Sequence, residues 1–260
     1  MQIWKENGMR IGIKDASEIK LMRESGRILG IILNELEKII SPGISCLDLD
    51  QKSAKLMKQF NVISSFKGYH GFPATICTNI NNQVVHGIPT NQILKEGDII
   101  TVDCGVIYKQ FHSDSAIQVG VGKISEENKK FLLTAEKALS KAIEIAKPGI
   151  RINKLSAIIQ STVEKKGYSV IRELVGHGIG KSMHEDPPVP NFITKDQGPI
   201  LRPGMTIAIE PIISMGKKDI KLSNDGWTYV TKDNSLATQV EHTIAITEKG
   251  SEILTKRPKY

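Results

Sequence analysis

The chain has 260 residues, 40% of them hydrophobic and 24% charged, which suits a globular protein with one large domain or two small ones. It has no apolar run long enough to span a bilayer, no signal-peptide pattern, and three cysteines without disulfide or zinc-finger spacing, so we expect a cytoplasmic protein. The net charge of +7 predicts attraction to RNA or the ribosome rather than lipid, unless it only reflects a lysine-rich proteome.

Four stretches have the apolar spacing of amphipathic helices, and they fall into two pairs. They cover residues 15–40, a stretch that ends near residue 60, residues 124–147, and a stretch to about residue 167. Asp15 or Ser17 is the expected N-cap of the first helix, and Ser125 that of the third. A Pro-Gly-Ile break separates the members of each pair, at residues 42–44 and 148–150.

Residues 97–120 predict two strands that carry acids at interior positions. The alternation of apolar and polar residues indicates strands that meet near Tyr108 and Lys109, with one aspartate in each, Asp103 and Asp114. A turn at that point would place the two carboxylates directly opposite each other, about 5 Å apart on one face. Because like charges so close repel and are costly to bury, we expect a positive group between them, most simply a pair of divalent metal ions.

The acids of this hairpin recur later in the sequence. Asp103 has a counterpart in Glu210, 107 positions further on, within a strand pattern of the same kind. Asp114 has a counterpart in Glu241, 127 positions further on. The extra 20 residues predict an inserted hairpin between residues 214 and 233.

A His-Gly-Ile motif also occurs twice, at His86 and His177. The sequence therefore predicts an α+β fold with pseudo-two-fold symmetry, in which a layer of sheet is backed by helices and the site lies between related halves. We expect a single catalytic domain whose halves cover about residues 14–120 and 121–248, with no separate N-terminal domain.

Four carboxylates and one imidazole are the candidate metal ligands. Such an oxygen-rich set suits a pair of Mn, Fe, Co or Zn ions, which can lower the pKa of a shared water molecule towards neutrality. A single acid in a strand is more often solvent-facing, and a lone histidine in a Gly-rich loop is more often a turn residue. Recurrence at corresponding positions favours metal binding by Asp103, Asp114, His177, Glu210 and Glu241.

Two further histidines, His86 and His184, lie in loops beside the candidate ligands. As hydrogen-bond donors they could polarise a peptide carbonyl or hold a peptide nitrogen, whereas the alternative is a pair of ordinary surface histidines. The other three histidines lack a paired motif and are expected to be structural: His70, His112 and His242.

Together these residues resemble the methionine aminopeptidases of type I, the short bacterial-like form of the pita-bread (creatinase-fold) metallopeptidases. The resemblance extends over residues 19–247 and implies a curved antiparallel sheet backed by helices. The motifs that carry it are YHGFPATICTNINNQVVHGIP (69–89), TVDCGV and FHSDSA (101–116), GHGIGKSMHEDP (176–187), GMTIAIEP (204–211) and DGWTYVTKDNSLATQVEHT (225–243).

The resemblance implies a role for each candidate residue. The five ligands would hold two divalent ions, with Asp114 and Glu241 shared between them and Glu210 also acting as general base. His86 would bind the substrate and its nitrogen at the scissile bond, and His184 would polarise the carbonyl and stabilise the oxyanion. The reaction would be the removal of the initiator methionine from nascent proteins whose second residue is small.

The family's methionine pocket falls on five side chains of this sequence: Tyr69, Phe72, Cys77, Met183 and Trp227. Apolar, aromatic and sulfur-containing groups suit a thioether, and ordinary core packing is the alternative for each of them. Relatives often have Cys at the position of Phe66, Tyr at that of Phe72 and Phe at that of Met183. These departures leave the shape of the pocket open.

Two other functions fit parts of the pattern. A Xaa-Pro aminopeptidase or prolidase has the same fold and ligand pattern but usually an additional N-terminal domain, for which the roughly 15 residues before the first helix leave no room. A non-catalytic protein of this fold would have lost metal ligands, which this chain keeps. We expect a monomer that acts on the N-terminal peptides of nascent proteins, with the ribosome as a further partner and no DNA or membrane partner. The metal stays open among Co²⁺, Mn²⁺, Fe²⁺ and Zn²⁺.

Overall fold

The computed structural model describes residues 2–6 and 8–258. Within these residues the helices are α1 (Ala16–Ile39), α2 (Cys46–Gln59), α3 (Glu126–Ile145) and α4 (Ile152–Glu164), with one 3₁₀ turn at Tyr69–Gly71. Each α-helix falls in one of the stretches predicted to be helical. The strands are β1 (Gln2–Glu6), β2 (Met9–Ile13), β3 (Ile63–Ser64), β4 (Ile76–Ile80), β5 (Gln83–Val85), β6 (Ile99–Tyr108), β7 (Phe111–Gly120), β8 (Ser169–Val170), β9 (Gly176–Gly178), β10 (Glu185–Val189), β11 (Thr206–Ile209), β12 (Ile212–Ser214), β13 (Ile220–Leu222), β14 (Tyr229–Thr231), β15 (Ala237–Gln239), β16 (His242–Thr247) and β17 (Gly250–Ile253).

The helix starts follow from their capping residues. The Asp15 side chain accepts hydrogen bonds from the backbone N–H groups of Ser17 and Glu18, and the Glu18 carboxylate accepts one from the Asp15 N–H. This reciprocal capping box makes Asp15, and not Ser17, the N-cap of α1. Ser125 caps α3 as predicted, because its hydroxyl accepts a hydrogen bond from the Asn128 N–H at 3.0 Å.

The hairpin β6–β7 turns one residue later than predicted. The expected turn at Tyr108 and Lys109 is wrong, because Tyr108 still pairs with Phe111 and the two turn residues are Lys109 and Gln110. Both turn residues have positive φ angles, of 46° and 71°. Two-residue turns with this backbone match the right-handed twist of the strands that they join.

This turn changes the partner of each aspartate in the hairpin. The prediction that Asp103 and Asp114 lie directly opposite each other is wrong, since Asp103 pairs with Ala116 and Asp114 with Gly105. The displacement is two residues along the strand. Because side chains alternate with a period of two, both carboxylates still lie on the same face of the sheet, as predicted.

The strands form one large and several small sheets. Seven strands make the largest, in the order β1-β2-β10-β9-β11-β16-β17. In a second sheet β6 pairs with β7 on one side and with β3 and β4 on the other. The pairing of β13 with β14 confirms the predicted inserted hairpin, which joins β5 in a small sheet. Another small sheet has the order β15-β12-β8.

The helices cover one face of these sheets. Phe131 on α3 and Ile159 on α4 are fully buried in a cluster with Ile207 of β11, whereas α1 and α2 enclose a second cluster that includes Val102 and Cys104 of β6. The architecture is therefore the helix-backed α+β fold that the sequence predicts. The division into related halves near residue 120 stays a prediction. Of the helices that the structure describes, none is both long enough and apolar enough to cross a membrane.

Candidate metal centre

Every residue predicted to bind metal or substrate lines one cavity, of about 460 Å³, on the sheet face opposite the helices. We call the part formed by the candidate metal ligands the floor: Asp103, Asp114, His177, Glu210 and Glu241. The part formed by the predicted methionine pocket is the wall: Tyr69, Phe72, Cys77, Met183 and Trp227. His86 and His184 line the same cavity.

The four acids of the floor come from two strand pairs. Asp103 lies in β6 and Asp114 in β7, while Glu210 directly follows β11 and Glu241 directly precedes β16. Ile209 pairs with His242 on one side of the two glutamates, and Ile212 pairs with Gln239 on the other side. The same register places Glu210 and Glu241 opposite each other across the strands. All four carboxylates are buried, with no more than 9% of any of these residues exposed. The chain therefore places four acids in a small, buried volume.

His177 directs its Nε2 towards these acids. Its Nδ1 lies 2.8 Å from the backbone oxygen of Gly178, a distance at which Nδ1–H donates to the carbonyl. Its Nε2 lies 3.8 Å from Glu210 Oε1 and 4.0 Å from Asp114 Oδ2. Burial, together with the neighbouring His184, lowers the pKa of His177 to about 3. The imidazole is therefore neutral at pH 7, with the lone pair of Nε2 directed at the acids.

The carboxylates of the floor resist ionisation. Burial raises the pKa of Asp103 to about 7. Burial, and then repulsion by neighbouring carboxylates, raises the pKa of Asp114, Glu210 and Glu241 well above the usual range. The lining of the cavity, as described, contains no Lys or Arg that could neutralise these charges.

The floor fits a divalent cation. Among the described residues, buried oxygens of Asp103, Asp114 and Glu241 have no hydrogen-bond partner. One donor atom each from Asp114, His177 and Glu241 lies within 4.8 Å of the other two. Carboxylate oxygens with one neutral imidazole are ligands suited to Mn, Fe, Co or Zn. A bound cation would supply the positive charge and the partners that these atoms lack.

Gln239 lines the cavity beside the floor and was not predicted from the sequence. Its Nε2 donates a hydrogen bond to Glu210 Oε2 at 3.1 Å and lies 3.5 Å from Glu241 Oε2. It thus helps to orient the carboxylates of two candidate ligands, as residues next to metal ligands commonly do. The sequence did contain a signal for Gln239. It lies two positions before Glu241, and residues two positions apart in a strand lie on the same face.

The wall is apolar. Phe66, Phe72, Cys77 and Met183 form a buried cluster, against which Trp227 packs with its ring 5.2 Å from that of Phe72. These apolar, aromatic and sulfur-containing side chains line the same cavity as the acids of the floor.

His184 is held between the floor and the wall. Its Nδ1 lies 2.9 Å from the Tyr69 hydroxyl, and its ring centre is 4.4 Å from that of His177. His86 adopts a left-handed backbone with a φ of 60° at the edge of the cavity. Burial lowers the pKa of both His86 and His184, so both are neutral at pH 7.

The histidines expected to be structural have separate surroundings. His112 Nδ1 lies 3.0 Å from Ser65 Oγ, and His242 Nδ1 lies 2.9 Å from Thr255 Oγ1. His70, by contrast, lies at the mouth of the cavity beside the Tyr69 ring.

Comparison with known proteins decides the family. Residues 20–248 match metallopeptidase family M24. The sequence is 48% identical to a methionine aminopeptidase of Clostridium acetobutylicum, over 94% of this chain and 98% of that protein. It is 41% identical to the enzyme of Escherichia coli K12, over 96% and 95% of the two chains. The chain belongs to the methionine aminopeptidase family of M24 metallopeptidases.

Solved structures agree with this assignment. The methionine aminopeptidase of Thermotoga maritima superposes with a TM-score of 0.93 at 44% identity, over 95% of this chain and all of that one. A prolidase of Pyrococcus horikoshii superposes with a TM-score of 0.77 at 26% identity, over 95% of this chain but only 64% of the prolidase. The predicted family and its pita-bread fold are therefore confirmed, and family membership together with the acidic floor supports the use of a divalent metal.

Proposed function

We propose that this protein removes the N-terminal methionine of newly made proteins whose second residue is small, by hydrolysis of the first peptide bond. The observation that carries the proposal is the contact of two unlike surfaces within one cavity. A floor of four acids and a neutral imidazole suits hydrolytic metal chemistry, and the adjoining wall suits a methionine side chain. The methionine aminopeptidases among its relatives support both parts.

We propose that the five residues of the floor would hold two divalent cations. The donor atoms of Asp114, His177 and Glu241, which lie within 4.8 Å of one another, support cation binding at the floor. When bound, the cations would polarise a water molecule and lower its pKa, so that it can attack a carbonyl at neutral pH.

Glu210 is the proposed general base. Gln239 holds its Oε2 by a hydrogen bond, and the carboxylate lines the cavity beside the proposed cation site. A carboxylate at this position can accept a proton from the attacking water. It can then deliver the proton to the leaving nitrogen.

His184 and His86 are the proposed electrophilic groups. If the Tyr69 hydroxyl donates to His184 Nδ1, the proton of this neutral ring lies on Nε2, which is then free to donate to the peptide oxygen. Such a donor stabilises the negative charge that develops on this oxygen in the transition state. His86, neutral and fixed at the cavity edge, would hold the peptide nitrogen.

The experiment uses chelator-treated protein to which Mn, Fe(II), Co or Zn is returned. Release of the first residue is followed from Met-Gly-Met and Met-Pro-Met, beside Ala-Pro-Met and Leu-Gly-Met. Metal-dependent release of methionine alone is the expected result. Strong cleavage of Ala-Pro-Met would indicate a prolidase-like enzyme. No cleavage with any metal, although two ions bind, would indicate a binding protein.

We further propose that the enzyme acts in the cytoplasm as a monomer and approaches the ribosome through its net positive charge of +7. Charge-driven association weakens as salt rises. Co-sedimentation with ribosomes at low salt that is lost at high salt would support this part of the proposal, and failure to co-sediment at low salt would refute it.

A further inference from the structure

A buried ion pair joins the N-terminal part of the chain to the loop that carries Met183 and His184. Lys14 Nζ lies 2.7 Å from Glu185 Oε2, and the two side chains expose only 1% and 12% of their surface. Neither residue is among those that line the cavity. The pair therefore needs an explanation other than contact with substrate.

The Glu185 carboxylate closes the loop with its second oxygen. Oε1 accepts a hydrogen bond from the Ser182 N–H at 3.1 Å, and the Gly180 N–H donates to the Ser182 oxygen, also at 3.1 Å. Residues 180–185 thus form a compact turn, with one carboxylate joined both to the backbone of the turn and to Lys14. The backbone of His184 lies within this turn, directly before Glu185.

Lys14 itself is fixed on the opposite side. Its backbone N–H donates to the Gly204 oxygen at 2.8 Å, just before β11 leads to Glu210. The preceding strand β2 runs parallel to β10 through the pairing of Ile11 with Asp186. The ion pair therefore connects the loop with His184 to the backbone that positions Glu210.

Stability alone does not account for a pair of this kind. Burial lowers the pKa of Lys14 even though Glu185 acts against this change. Taking two charges out of water costs about as much as their attraction returns, and apolar side chains of similar size would often serve as well or better. What an ion pair adds is a single geometry for the groups around it.

We propose that the Lys14–Glu185 ion pair is a positioning device that fixes the loop at residues 180–185 and so sets His184 against His177 and Tyr69. This inference rests on the proposed function, because it assigns the pair to the alignment of His184 with the peptide oxygen. A displacement of about 1 Å at a reacting group can lower the rate roughly 100-fold. Lys14 and Glu185 would act as positioning residues, since neither lines the cavity.

The test compares the wild-type protein with Lys14→Met and with Lys14→Met/Glu185→Gln. The single variant leaves a buried carboxylate unpaired, which destabilises the fold. The double variant removes that charge, and the amide oxygen introduced by Glu185→Gln can still accept from the Ser182 N–H, but the link to residue 14 is missing. Leu155→Ala is the matched control, because Leu155 is fully buried in the core around α4 and is not part of residues 180–185.

Three quantities are measured on metal-loaded protein: the melting temperature, kcat and KM for Met-Gly-Met, and hydrogen exchange of the segment 180–186. In Lys14→Met we expect faster exchange in that segment and a kcat that is roughly 100-fold lower, with KM changed only a few-fold. In the double variant the melting temperature recovers, whereas kcat stays at least about tenfold low. Leu155→Ala melts earlier but keeps its kcat at temperatures where it is folded.

A kcat that recovers together with the melting temperature in the double variant would overturn the proposal, because the pair would then only stabilise the fold. Exchange that rises throughout the chain in Lys14→Met, and not chiefly at residues 180–186, would also overturn it. If the wild-type protein releases no methionine with any metal, the proposed function fails instead. The exchange measurement still shows in that case whether the pair fixes the loop.

Discussion

The floor of the cavity is built from groups that are costly to bury, and its wall from groups that gain by burial. On the floor, burial and mutual repulsion hold the pKa of Asp114 and Glu241 far above the usual range, and each has a buried oxygen without a hydrogen-bond partner among the described residues. On the wall, Phe72 and Met183 are at most 5% exposed. An apolar side chain buried in this way contributes about 1.5–3 kcal/mol to folding.

The two regions therefore relate activity to stability in opposite ways. In the metal-free protein the buried carboxylates of the floor lower the free energy of unfolding, and a bound cation would remove this penalty. Burial of the apolar wall and of the two hydrophobic cores offsets part of it. Substitutions on the floor should destroy activity and leave the metal-free protein equally or more stable. Substitutions on the wall should change substrate binding and reduce stability.

The largest expected effect is that of His177→Ala on the floor. Loss of the neutral nitrogen directed at Asp114 and Glu210 would remove a proposed ligand, and with it several kcal/mol of transition-state stabilisation, so we expect activity to fall roughly 1000-fold or more. Circular dichroism should show an intact fold. His112→Ala, whose ring contacts Ser65, is the control and should keep its activity. Unchanged turnover of His177→Ala at saturating metal would refute its role as a ligand.

The pH dependence of stability tests the cost of the floor. Burial raises the pKa of Asp103 from 3.8 to about 7, so the folded protein without metal holds a proton that the unfolded chain releases. The free energy of unfolding of the metal-free protein is therefore not reduced by Asp103 below about pH 4. It falls as the pH rises from about 4 to about 7, because the unfolded chain releases the proton first. At pH 8 we expect metal-free Asp103→Asn to be more stable than wild type, by on the order of 1–4 kcal/mol, with a difference that shrinks towards pH 4.

The comparison of the two proteins is needed because other groups titrate in the same range. The pKa values of His177 and His242 are lowered to about 3 and about 4, so these groups contribute stability that is lost as the pH falls below about 6.5, the opposite sign. They are present in both proteins, and subtracting the two urea-unfolding curves removes them to first order. The compared quantity is the free energy of unfolding of Asp103→Asn minus that of wild type. A negative value at pH 8, or a value that does not change with pH, would contradict the cost assigned to Asp103.

Much of the fold could be predicted because its signals are local. The spacing of apolar residues, the Ser125 cap and the paired helix breaks depend on neighbours in the sequence. The β6–β7 register could not be obtained in this way, because Lys109 and Gln110 are not residues that favour positive φ. The pairing of the whole hairpin fixes that turn, and it moved Asp103 two positions from its expected partner.

The candidate site was predictable where sequence spacing alone defines it. Two acids at equivalent positions in each strand pair, with a repeated His-Gly-Ile motif, identified the floor, and the structure brings these residues together; their roles stay predictions. Gln239 and the Lys14–Glu185 pair were not predicted, for different reasons. Gln239 is uncharged, so no charge pattern marks it. Lys14 lies close to Glu185 because β2 pairs in parallel with β10, and these two strands are far apart in sequence.

On the wall, Trp227→Ala should have a smaller effect than any loss from the floor. The indole packs edge-on against Phe72. If the wall holds methionine as proposed, its removal would take away apolar contact worth about 1.5–3 kcal/mol. We therefore expect kcat/KM for Met-Gly-Met to fall about 10–100-fold, mainly through KM. Trp4→Ala is the matched control, because Trp4 stacks on Arg202 and does not line the cavity. An equal loss in both variants would show that the effect is not due to the pocket.

The smallest effects come from two cysteines on opposite faces of one sheet. Cys77 pairs with Asp103 and lines the cavity, whereas Cys104 belongs to the apolar core beneath α1 and α2. Cys77→Ala should raise KM about two- to tenfold, since a sulfur–aromatic contact contributes about 0.3–1.5 kcal/mol. Cys104→Ala should leave KM unchanged and cost about 1 kcal/mol of stability. Steady-state kinetics and urea unfolding of both variants separate the two faces, and a KM that rises in Cys104→Ala but not in Cys77→Ala would reverse the assignment of wall and core.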